Sequence, residues 1–194
     1  MPARKTWLHA LAASPRYALV HYAKGQVLRA LNRYAEAVPE YETALALIRN
    51  PANAYHHIAQ CKIYTGAIEE AIPLMEQAIR LSPRDPEIDL FYQRIGIVHL
   101  LESRIGEAIV WFEKARSANP GLPVTHAYLA SANALKGETE RAAAELAEAR
   151  RLSSDDRYSS LARLKAGYFG ISKTRALFEA TYFAGLRKAG MPEE

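Results

Sequence analysis

A period of 34 residues constrains this chain more than any other feature. Ala37-Val38-Pro39, then Tyr41, then Ala44-Leu45, returns as Ala71-Ile72-Pro73, then Met75, then Ala78-Ile79. The frame recurs at Ala108, Phe112 and Ala115, and again at Ala142, Leu146 and Ala149. Such a period demands one supersecondary unit per repeat, because a single unit cannot bury its own apolar face. Composition decides which unit. The chain is rich in Ala, Leu, Glu and Arg, but holds only six valines and seven threonines. Those residues favour helices and supply little for a sheet. A parallel-sheet fold, and with it most nucleotide-dependent enzymes, is disfavoured. Helical units are expected.

These residues resemble the tetratricopeptide repeat, which implies paired antiparallel helices, with alanine where they cross closely and a bulky residue one turn away filling the gap. The repeats run about 18–51, 52–85, 89–122 and 123–156. The family's small residue in the first helix falls on Gly25, Ala59, Gly96 and Ala130. Its closing proline falls on Pro83 and Pro120. The resemblance implies an all-α fold, a right-handed α-solenoid of tandem antiparallel helix pairs with a C-terminal helical cap. Gly66 and Gly137 sit where a left-handed helix end is wanted. Pro39 and Pro73 are expected near the start of a second helix, where a missing N–H costs least. Three extra residues around Ser82–Ile88 predict a longer turn between repeats two and three.

One period earlier, Ala3, Trp7, Ala10 and Pro15 fall on the alanine, bulky, alanine and proline positions. Residues 1–16 therefore read as the orphan second helix of a truncated repeat, and the chain as the C-terminal part of something longer. Residues 157–194 read as capping helices. One is expected over residues 158–167. Another is expected from Lys173 to about Ala189, capped by Ser172, with Leu177, Phe178, Tyr182, Phe183 and Leu186 inward.

No catalytic motif is present: no Gly-rich phosphate loop, no nucleophile elbow, no His pair with an acid at metal-ligand spacing. A non-enzyme with no cofactor and no metal is expected. His57 and Cys61 lie four residues apart and could share one helix face, but packing is the favoured reading because a third ligand is not evident. The lone Cys61 fits a reducing compartment, so a cytoplasmic location is expected, and no apolar run is long enough to span a membrane. Arg4 and Lys5 before Trp7–Ala13 have the outline of a leader, but His9 interrupts a short stretch. The net charge is +4, with no acid in residues 1–35. The basic residues are scattered at both ends rather than striped, which disfavours a nucleic-acid binder.

The resemblance further implies a concave groove lined by the first helices. Carried onto this chain, its lining includes Tyr22, Gln26, Arg29, Asn53, His56, Gln60 and Gln93, with Tyr64 close by. Aromatic, amide and guanidinium groups suit a bound peptide or partner segment. A clamp for two carboxylates is not expected, because the fifth and ninth repeat positions carry no Lys or Arg. Leu81-Ser82-Pro83-Arg84-Asp85-Pro86 and the ending Gly185-Leu186-Arg187-Lys188-Ala189-Gly190-Met191-Pro192-Glu193 are similar to the C-terminal repeat region of bacterial class III adenylate and guanylate cyclases. That resemblance implies a regulatory, partner-binding appendage of a signalling protein. The alternatives are a free-standing adaptor and, behind it, a basic nucleic-acid-binding repeat. Self-association through a solenoid end or the cap is a further expectation.

Overall fold

The computed structural model describes residues 18–47, 52–167 and 169–194. The expected half-repeat at residues 1–16 lies outside them. Among the described residues there is no strand, and no helix is long and apolar enough to cross a membrane. Two compact units divide the chain at Pro83 and Arg84.

The first unit contains α1 (Ala18–Ala30), α2 (Tyr34–Leu45), α3 (Ala52–Thr65) and α4 (Ala71–Leu81), the last entered through a 3-10 turn, Ile68–Glu70. Each helix packs on the next. Ala37, Ala44, Ala71 and Ala78 are fully buried, as are Tyr41 and Met75. Pro39 does not sit near the start of its helix. It is the sixth residue of α2, past the first turn, where it removes an internal hydrogen bond. Pro73 is third in α4, because the 3-10 turn absorbs the preceding residues.

The second unit contains α5 (Ile88–Leu101), α6 (Ile105–Ala118), α7 (Pro123–Lys136) and α8 (Thr139–Leu152). The loop before α5, residues 82–87, is longer than the one before α7, residues 119–122, as the three extra residues require. Ala108, Ala115, Ala142 and Ala149 are fully buried. Glu145 on α8 holds His126 Nδ1 of α7 at 2.6 Å and pairs with Arg116 of α6.

The turns inside the helix pairs share one geometry. Gly66 and Gly137 take φ of 89° and 90°, and Asn32 and Ser103 take 58° and 60° at the matching places. Asn tolerates the left-handed region, but serine does so at a cost. Ser103→Gly is therefore expected to stabilise the second unit by about 0.5–1 kcal/mol, read as a higher midpoint in urea. The Ser103 side chain is exposed, so nothing is lost by removing it.

The C-terminal segment differs from its expected layout. Helix α9 spans only Leu161–Lys165, with Ser160 as its cap, accepting from the Arg163 N–H at 3.3 Å. Helix α10, Ser172–Phe178, begins at Ser172 itself. Ile171 is the N-cap, so Ser172 does not cap. The helix runs through a π segment, Glu179–Phe183, into α11, Ala184–Lys188. Thr181 Oγ1 donates to the Leu177 carbonyl at 2.7 Å, and the widened turn rotates the face of α11 relative to α10. Gly190 closes the helix with a left-handed turn, and Met191 N–H reaches the Leu186 carbonyl at 3.0 Å. The tail then crosses to α9. The carbonyls of Pro192 and Glu193 accept from the N–H groups of Leu161 and Ala162 at 2.8 and 2.9 Å. Those are two of the donors a helix start leaves unsatisfied.

Candidate functional site

Helices α1 and α3 bring most of the expected groove residues of the first unit into one hydrogen-bonded cluster. Gln26 is its hub. Its Oε1 accepts from the Tyr41 hydroxyl at 3.1 Å and from Arg29 Nε and Nη2 at 3.0 and 2.8 Å. Its amide nitrogen donates to the Tyr22 hydroxyl at 3.2 Å and to His57 Nε2 at 2.9 Å. His57 Nε2 also lies 3.0 Å from the Tyr22 hydroxyl. An accepting Nε2 places the ring proton on Nδ1. Arg29 Nη1 reaches Gln60 Oε1 at 3.4 Å. Tyr22 meets the Tyr41 ring edge-on with centroids 5.7 Å apart, and His57 stacks on Tyr41 at 5.3 Å. Every member restrains another, so the cluster holds its shape before any ligand arrives.

His57 and Tyr41 are the members that groove positions did not nominate. Tyr41 is the repeat's large buried residue, and His57 is the position of the next repeat that packs on it. The two-residue relation repeats in the second unit, where Phe112 stacks on Tyr128 at 5.1 Å. That recurrence was the available signal. Burial pushes the Tyr41 hydroxyl well above its ordinary range and the Cys61 thiol up to about 12, which favours the neutral thiol. Among the described residues no three metal-ligating side chains cluster.

Of the other expected residues Gln60 joins through its Oε1, and Tyr64, Asn53, His56 and Gln93 do not. Tyr64 pairs with Tyr34, with centroids 4.8 Å apart. Asn53 is exposed. His56 is only 2% exposed and meets His57 edge-on at 4.9 Å, so it is a buried residue and not an open groove contact. Gln60 is also buried, reaching the cluster through its Oε1. Gln93 belongs to the second unit, is buried, and donates to Thr125 Oγ1 at 3.0 Å. It lines no open groove.

The second unit explains why. Its own C-terminal helix lies on the first helices, with α11 against α7 and the π segment against α7 and α5. Ser131 Oγ donates to the Tyr182 carbonyl at 2.9 Å, and Tyr128 and Tyr182 rings lie 4.4 Å apart. Ile97 and Leu100 on α5, and Ala127 and Ser131 on α7, are 0–1% exposed. The inner face of this unit is occupied.

A tetratricopeptide repeat family model matches residues 16–84. Curated proteins offer no match. Among solved structures, the chain is similar to PilW, described as a widely conserved type IV pilus biogenesis factor, at 17% identity and a TM-score of 0.72, covering 96% of this chain and 84% of that one. It is similar to PilF of Pseudomonas aeruginosa at 20% identity and a TM-score of 0.70, covering 97% and 79%. It is similar to YrrB, a tetratricopeptide repeat protein with an unusual peptide-binding site, at 17% identity and a TM-score of 0.60, covering 95% and 90%. Identities this low speak to fold. The fold, all-helical and built of antiparallel pairs with buried alanine crossings, is that of the tetratricopeptide repeat proteins.

Proposed function

We propose that this chain is a non-catalytic protein-interaction module that takes an extended peptide or partner segment on the inner face of its first unit. The observation that carries the reading is the cluster of Tyr22, Gln26, Arg29, His57 and Gln60, which is pre-shaped and partly exposed. The second unit fills its own inner face with α11, which leaves the first as the binding surface. The peptide-binding site of YrrB supports the same use of this fold.

The similarity of the tail to cyclase repeat regions supports the finer reading, a regulatory end of a cyclase-like signalling protein. Gly185, Gly190 and Pro192 also serve the cap, through a close approach, a left-handed turn and a carbonyl hydrogen bond. Those residues would serve any protein that closes its repeats this way.

Selection from a displayed library of random peptides tests the module. Wild type is expected to enrich a peptide family, and Tyr22→Ala with Arg29→Ala is expected to weaken binding at least about tenfold while circular dichroism stays helical. Unchanged affinity in the double variant would move the site elsewhere. No enrichment by wild type would remove the peptide-binding reading.

A further inference from the structure

Arg29 is a partly exposed guanidinium with no carboxylate beside it among the described residues. Three cations of the same unit are neutralised: Lys24 by Glu40, Arg33 by Glu36 and Lys62 by Glu70. Arg29 is gripped instead by two neutral amides, Gln26 and Gln60. Residues 1–17 and 48–51, outside the described part, contain no Asp or Glu that could serve it. A cation drawn partly out of water without a counter-ion is costly, and an arriving anion recovers that cost.

The geometry of the grip says where the anion goes. The three bonds to Gln26 and Gln60 use the Nε–H and one N–H on each terminal nitrogen. The Tyr41 hydroxyl is a further hydrogen-bond partner of Arg29; that bond, and then the charge itself, draws the hydroxyl down against the upward push of burial, and the charge does the same to the Cys61 thiol. A guanidinium has five N–H groups, so at least one is left on a terminal nitrogen, where a carboxylate oxygen gains a charge-assisted hydrogen bond.

We propose that Arg29 anchors a carboxylate of the bound peptide, with Gln26 and Gln60 holding the guanidinium in place. The inference rests on the peptide-binding reading above. It differs from a two-carboxylate clamp, since Tyr22, Gln26, His56 and Gln60 bring no second cation. The carboxylate is an Asp or Glu side chain or a peptide C-terminus.

The test is an array of short random peptides made in matched pairs, Glu against Gln at one place, each with a free and an amidated C-terminus. Wild type is expected to bind the charged member about tenfold tighter, with the gap narrowing in salt. The arm that carries the gap identifies a side-chain or a terminal carboxylate. Arg29→Gln, helical by circular dichroism, is expected to bind both members alike. Arg29→Lys, which keeps the charge and loses the planar group that Gln26 and Gln60 hold, is expected to narrow the gap, and it decides the matter should Arg29→Gln fail to fold. Peptides bound without charge preference would overturn the anchor and leave the interaction module standing. A preference that survives both substitutions would overturn it as well. Binding of no peptide would remove the underlying reading, and the anchor with it.

Discussion

Gly185→Ala is expected to lift the C-terminal helix off the second unit and cost about 3 kcal/mol, the upper end of what overpacking does. A Cβ at residue 185 would stand 2.2 Å from Ser131 Oγ and 2.4 Å from the Ser131 carbonyl oxygen. The first atom could swing away. The second is backbone of α7 and can move only with its helix. The same contact places Ser131 Oγ on the Tyr182 carbonyl, so separation would also strip a partner from a fully buried hydroxyl. Phe178, Tyr182, Phe183 and Leu186 would be uncovered together. Thermal melting should show a lower midpoint, and trypsin should begin to cut at Lys173 and Arg175. Gly106→Ala is the control, because a Cβ there meets nothing within 4 Å. It should be neutral or slightly stabilising. A neutral Gly185→Ala would mean that α11 does not dock through this contact.

The repeat register was legible because a period constrains each alanine several times over. All eight crossing alanines are fully buried, and a solvent-facing Ala at any of them would have broken the frame. The cap was legible only as an object. Its aromatic stripe showed that a helix needed a surface, but nothing in the stripe said which surface. The answer turns on Gly185 and on a π segment, and neither disturbs an apolar pattern read by eye. Family groove positions therefore transferred unevenly. In the second unit they locate Gln93, which is buried and bonded to Thr125. In the first they locate a polar cluster, but polar residues can satisfy one another in many ways. Sequence alone could not show that Gln26 turns its carbonyl to Tyr41 and Arg29 while its nitrogen faces His57. Ser172 failed as a cap for a related reason: the helix starts one residue earlier than its side chain required.

Gly96→Ala is expected to destabilise the second unit by about 2 kcal/mol, and Phe112→Leu is expected to relieve much of that cost. A Cβ at residue 96 would lie 2.6 Å from two Phe112 ring carbons. Phe112 is fully buried and stacked on Tyr128, so its ring has little room to withdraw. Alanine gains about 1 kcal/mol of helix propensity over glycine, which offsets part of the strain. The rest of the chain shows the compatible pairs. Gly25 faces the Tyr41 ring, at 2.8 Å from a built Cβ, whereas the repeats with Ala59 and Ala130 carry Met75 and Leu146 at the large position. Glycine accompanies an aromatic ring and alanine accompanies an aliphatic chain, because a rigid ring needs the space that a flexible chain can leave. Phe112→Leu alone should cost stability through lost packing. In the double variant the two costs should fall short of their sum by about 1 kcal/mol or more, since each change corrects the misfit of the other. Urea unfolding of the four proteins measures that coupling. Strictly additive costs would mean the ring yields freely, and the matching of glycine to aromatic residues would then have no energetic basis.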